Sequence, residues 1–161
     1  MAFEDFPRWT VASVGKHLLT LAEGDSIETV IELVNTRTTA WESAASNVEL
    51  TVDGPRLARK SKNSYNAEVD IFAVLSTIDN GTTAASDHMT AVGKIAKWLN
   101  GCIEVFNLGN EAGDDGTTKI GTLNPNNGET GIVPVNLKPT RTDDRLHSTL
   151  SGTFKATYKT N

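Results

Sequence analysis

The stretch from Tyr65 to Leu75 constrains the fold more than any other. Tyr65, Ala67, Val69, Ile71, Ala73 and Leu75 alternate with Asn66, Glu68 and Asp70. Strict alternation of apolar and polar residues puts one set on each face of a pleated strand, so this run predicts a long strand with one face in a core. It is expected to be the longest strand and central in its sheet. From Phe72 to Val74 both faces turn apolar. That end should therefore be covered on its second side too, by a helix or a neighbouring subunit, and the helix that comes next in sequence is the expected cover.

The remaining elements arrange themselves around that strand. Val11, Val14, Leu18 and Leu21 recur at three- and four-residue spacing behind Pro7, which predicts a first helix ending at Glu23-Gly24-Asp25. Ile27 to Val34 and Asn47 to Val52 alternate as strands one and two, and Asp53-Gly54-Pro55 is expected to break the second. A second helix carries Ala85, Met89, Val92, Ile95, Ala96 and Leu99 on one stripe and stops at Asn100-Gly101. Cys102 to Leu108 is short and apolar, and Gly109 to Thr118 reads as an acidic, glycine-rich loop with little to hold one conformation. Ile120 to Leu123 and Gly131 to Leu137 flank Asn124-Pro125-Asn126-Asn127-Gly128 as a hairpin, and Leu150 to Tyr158 alternates as a last strand. No repeat or linker divides residues 1–161, so the expectation is a single α+β domain: one mainly antiparallel sheet, two helices on one face and long loops between strands.

Composition excludes several functions. A net charge of −5 does not suit a protein that grips nucleic acid through phosphates, which needs clustered cations to release counterions. Cys102 is the only cysteine, so no internal disulfide or multi-cysteine metal cage can form, and a reducing compartment is expected. No apolar run approaches the roughly 20 residues of a membrane span, and Met1 to Arg8 lacks a signal pattern, so the protein is expected to stay in the cytoplasm where it is made. The sequon Asn80-Gly81-Thr82 then reads as a turn.

Catalytic motifs are missing. His17, His88 and His147 show no metal-binding spacing, and His88 beside Asp87 on a helix does not face it, so a capping or surface role is expected for His88. There is no GxSxG elbow and no phosphate-binding glycine loop. Glu111, Asp114 and Asp115 could wrap a calcium ion but lack the alternating acidic order of a calcium loop, and a solvated loop explains the glycines equally well. No metal or cofactor is expected. Arg56, Arg59, Lys60 and Lys62 form a basic stretch, expected to be a hairpin loop, that could meet an acidic partner. Trp9 and Trp98 read as core, whereas Trp41 in a polar loop reads as an interface anchor.

The acidic-faced strand, the run Ala67 to Val74 leading to the second helix and the final strand Ser151 to Tyr158 resemble the tail terminator proteins of tailed bacteriophages. The resemblance implies a non-enzymatic virion protein of the tail or neck, made in the host cytoplasm. It implies a homo-oligomeric ring, hexameric in the family, that caps the tail tube and meets neck or adaptor proteins. DNA would pass as cargo, and an acidic channel wall would repel its phosphates. Trp41, Arg56, Arg59, Lys60, Lys62, Glu111, Asp114 and Asp115 are then the interface candidates. The alternatives are another virion component (head-tail adaptor or stopper, tail-tube subunit or capsid-decorating protein) and an intracellular enzyme of unrecognised type. Trp41→Ala should weaken self-association in sedimentation experiments while the far-ultraviolet spectrum stays unchanged; loss of that spectrum would make Trp41 a core residue.

Overall fold

The computed structural model describes residues 3–33, 36–38, 46–79, 83–128, 140–142 and 145–160. Trp41, the Asn80-Gly81-Thr82 sequon and the second hairpin strand at 131–137 lie outside them. Three long strands make the centre of the fold: β3 (Ser46–Ser61), β4 (Ser64–Ile78) and β8 (Arg145–Lys159). β4 pairs antiparallel with β3 on one edge and with β8 on the other along its whole length. Ala67, Val69, Ile71, Ala73 and Leu75 are all buried, so the alternation in the sequence marks the inward face. β3 is one residue longer than β4, and the central position of β4 is as expected.

The sheet continues through β1 (Glu28–Leu33), which runs parallel to β3, to β2 (Thr36–Thr38) at that end. On the other side β8 meets β6 (Lys119–Pro125) only at Asn124 and Pro125. β6 carries the end strand β5 (Ile103–Phe106), and β7 (Thr140–Thr142) pairs with the start of β8. Both helices, α1 (Phe6–Asp25) and α2 (Ala84–Trp98), pack on the inward face, which makes a two-layer α+β domain.

Two sequence expectations about strands are corrected. Asp53-Gly54-Pro55 does not end the second long strand; β3 runs through it. The register steps from Asp53 opposite Asp70 to Arg56 opposite Glu68, one extra residue on β3, which is a bulge. The extra residue reverses the parity of the strand, so Val48, Leu50 and Val52 before it and Leu57 after it all face the core. Gly54 is needed there: its φ is 115°, and a Cβ would sit 2.9 Å from the Glu68 carbonyl oxygen. The basic stretch is consequently strand rather than loop, and the turn is confined to Lys62 and Asn63. Likewise β6 pairs with β5 across residues 107–118, a hairpin that the weak pattern of Cys102 to Leu108 did not announce.

α1 is fastened at several points. At its start Phe6 meets the Tyr158 ring edge-on at 5.2 Å, and Phe3 and Tyr65 lie 4.5 Å apart. The Tyr158 hydroxyl donates to Thr10 Oγ1 at 2.7 Å, and Thr10 donates in turn to the Phe6 carbonyl. Burial pushes the Tyr158 pKa up to about 12, so the phenol keeps its proton. One turn on, Ser13 Oγ accepts from the Phe106 N–H at 3.1 Å and donates back to the Phe106 carbonyl. That serine occupies backbone groups on the open edge of β5, where another strand would otherwise add. The Tyr158 ring packs against Gly121, where a Cβ would come within 2.7 Å of Tyr158 Cδ1. Gly121→Ala should therefore cost about 1–3 kcal/mol by overpacking, read as a lower urea midpoint with an unchanged slope.

Candidate functional site

The polar clusters singled out in the sequence take up three different kinds of position. His88 is buried, which corrects the expected capping or surface role. Its Nδ1 lies 2.9 Å from Thr77 Oγ1 and its Nε2 2.8 Å from Ser148 Oγ, so one ring ties α2 to β4 and β8. A hydroxyl donates or accepts as needed, so the neutral imidazole is satisfied in either tautomer. Thr77 and Ser148 are themselves buried, so this serine–histidine pair has no face on which a substrate could sit. Desolvation, followed by repulsion from His147, lowers the His88 pKa and favours the neutral ring.

The acidic loop is held rather than loose. Asp114 is nearly buried: Oδ1 accepts from Trp9 Nε1 at 2.8 Å, and Oδ2 pairs with Arg8 and accepts from the Glu111 N–H. Arg8 also reaches Asp5 at 2.6 Å. Asn107 organises the other side, donating to the Gly113 carbonyl and accepting the Thr118 N–H, while Asp115 accepts from the Thr117 N–H and hydroxyl. Those bonds, the Thr117 N–H first, lower the Asp115 pKa. Three acidic candidates thus separate: Asp114 points inward, Asp115 closes the loop on itself, and Glu111 is exposed. Among the described residues no group of three or more His, Cys, Asp or Glu could hold a metal. Asn107 was invisible in the sequence, since a lone asparagine has no periodicity to mark it.

The third position is the outward face of the long sheet. α2 packs on the inward side of β4, so the expected covering of Phe72 and Val74 by that helix is not found. Phe72, Val74 and Ile78 are 43%, 43% and 42% exposed. They stand in a row on β4, with Thr51 and Glu49 opposite on β3 and Ser151 and Thr149 opposite on β8. Towards the other end of the same face the surface becomes ionic. Arg56 binds Glu68 and, at 2.9 Å, Asp70, and Lys155 lies 3.8 Å from Glu68. The hydrogen bonds that Arg56 donates to Glu68 and then to Asp70 raise its pKa. Beyond this network Arg59, Lys60 and Lys62 are exposed at the tip of the β3–β4 hairpin. The basic candidates therefore divide into Arg56, matched by carboxylates within the sheet, and three cations at the tip. Trp41 lies outside the described residues.

Because the folded state holds His88 below its ordinary value of 6.5, the unfolded chain binds the extra proton first as pH falls. The stabilisation is present above about pH 6.5 and is lost as the pH drops below it. His17, half-buried and shifted the same way by desolvation, adds to the loss. Urea titrations at pH 7 and pH 5 should show a lower midpoint at pH 5. His88→Gln should be less stable at pH 7 by on the order of 1–3 kcal/mol and lose less between the two pH values; an equal loss would remove His88 as a source. No helix among the described residues is long and apolar enough to cross a membrane. No family model matches the chain and no curated protein matches it, so what it does has to be read from its own surface.

Proposed function

We propose that this chain is a structural subunit that builds a homo-oligomeric ring, of the kind formed by the tail terminator proteins it resembles. The observation that carries the proposal is the outward face of β4. Antiparallel sheets tolerate water on one face when that face is polar, as it is around Arg56 and Glu68. Phe72, Val74 and Ile78 break that rule on one strand, with Thr51, Thr149 and Ser151 beside the first two and the charged Glu49 and Arg145 opposite Val74 and Ile78. Such a strip, apolar at its centre with hydroxyl and charged groups at its sides, has the make-up of a subunit contact. The three side chains alone fall well short of the roughly 800 Å² that each partner buries in a stable interface, so they would form its centre.

The other polar sites are consistent with this reading, because each has a structural task. His88 joins layers, Asp114 fastens a loop, and Arg56 neutralises carboxylates on β3 and β4. In the proposed ring the sheet face contacts a neighbouring subunit, and partners in a particle would be tail-tube and neck or adaptor proteins. A second reading, a tail-tube subunit, is favoured by the strands of 16, 15 and 15 residues, since tube proteins spend more of their length on strands. The two differ in assembly: a terminator closes a single ring, and a tube subunit continues into a tube.

Solution mass measurement followed by imaging, with and without tail-tube protein, tests both. Closed rings that attach to tube ends are expected; open-ended tubes of this chain alone would favour the second reading, and a monomer that ignores tubes would remove both. Phe72→Ser with Val74→Thr should weaken self-association by about tenfold or more while the thermal transition moves little, because both side chains are largely outside the core.

A further inference from the structure

We infer that the basic tip of the β3–β4 hairpin, extended by the end of β8, is a docking element that holds the acidic surface of a second copy of this chain. The inference rests on the ring reading and names a contact for it. Four exposed cations lie at this tip: Arg59 and Lys60 on β3, which as neighbours on a strand point to opposite faces, Lys62 in the turn and Lys159 on β8. Register places them together, since Arg59 lies opposite Tyr65 and Ser64 lies opposite Lys159. Adjacent strands are about 4.8 Å apart, so the backbones of β3 and β8 lie about 10 Å from each other here, close to the roughly 8–10 Å Debye length at 0.1–0.15 M salt. No carboxylate pairs with any of the four among the described residues, and neither 57–66 nor 157–160 contains an acidic residue.

Two features argue that the concentration of charge is a surface for a partner. The first is the contrast with the next rung of the same strands. There Arg56 is met by Asp53, Glu68 and Asp70, and Lys155 by Glu68. The sheet neutralises its cations in that rung and leaves them unmatched at the tip. The second is that the tip is held in shape. Ser61 Oγ and Ser64 Oγ are 2.7 Å apart across the turn, the Arg59 Nε–H donates to the Ser61 carbonyl, and the Thr160 N–H donates to the Asn63 carbonyl at 2.8 Å. A fixed three-stranded end that crowds like charges is unfavourable by itself and is relieved by an anionic partner.

Charge complementarity points to a copy of the same chain. The sequence has 15 basic and 20 acidic residues, so setting aside the four tip cations leaves 11 against 20, a formal −9 on everything else. One copy therefore carries both a positive tip and a net-negative remainder that suits it. Contact between two different surfaces of one chain is heterologous, the type that closes into rings. Nucleic acid is a poorer fit. Binding of single strands uses aromatic rings among the cations, and the two aromatic side chains beside the tip cations are already engaged: Tyr65 packs on Phe3 at 4.5 Å and near Phe6 at 6.2 Å, and Tyr158 is buried.

The test is sedimentation equilibrium of the whole chain from about 50 to 500 mM NaCl, comparing wild type with Lys60→Glu/Lys62→Glu and, separately, Lys159→Glu. Lys159→Glu reaches the same tip from a different strand, so agreement between the two variants excludes a local folding defect of the turn; circular dichroism checks each. Self-association that weakens steadily with salt, and is reduced about tenfold or more in both variants at low salt, is the expected result. Wild type that assembles while both variants match it at every salt would overturn the docking role and leave the ring reading standing. A wild type that stays monomeric at low salt would overturn both. A short DNA duplex bound by wild type and not by the variants, with self-association unaltered, would replace the second copy by nucleic acid.

Discussion

β4 is paired on both edges along its full length, and this double pairing fixes what the rest of the chain can do. A strand held by β3 on one side and β8 on the other has no freedom of register, because a slip of one residue would move Val69, Ile71 and Leu75 from the core to the outward face. With that register set, one face of three long strands must be covered. The two helices do this, and nearly every large buried side chain of α1 and α2 contributes to one continuous core with Leu50, Ile71, Leu75, Leu150 and Phe154.

The lesser strands are held by side chains more than by ladders. β6 touches β8 over only two residue pairs, so the β5–β6 hairpin relies on Ser13 at Phe106, on Gly121 under Tyr158, and on the loop that Asp114 ties to Arg8 and Trp9. The first and last of these contacts run to α1, and the second runs to β8. The helix therefore covers the core with one part of its surface and fastens the end of the sheet with another, through Arg8, Trp9 and Ser13.

The same economy explains the surface. Polar groups inside the core are matched, His88 by two hydroxyls and Trp98 by the Asp25 carboxylate, and on the outward face Arg56 is matched by three carboxylates. Two places depart from it, the apolar row on the outward side of β4 and the unmatched cations at the hairpin tip. They lie on the same three strands, one towards each end. A subunit that uses both would contact its neighbours through the apolar row, which supplies affinity, and through the charged tip, which supplies orientation and speed of encounter.

Alternation over Tyr65 to Leu75 and Leu150 to Tyr158 was enough for the α+β class, the central strand and much of the core, because burial of one face imposes a period that survives in a single chain; the stripe of α2 was only partly legible, since Ala85 and Met89 are exposed and Ala84, His88 and Ala91 face inward beside Val92 and Ile95. Trp9 and Trp98 were legible as core for the same reason. Asp53-Gly54-Pro55 was misread because a bulge and a turn use the same residues, and only pairing with Glu68 and Asp70 distinguishes them. The exposure of Phe72 and Val74, the burial of His88 and the inward turn of Asp114 were likewise decided by tertiary structure. Each depends on which face a helix settles on, or on a partner as distant in sequence as Trp9 is from Asp114, and local patterning carries no record of either. Along unbroken strands the alternation in the chain set which residues share a face; the bulge in β3 and the packing of the two helices on one side, both products of long-range contact, decided which faces are buried and which is left to meet something else.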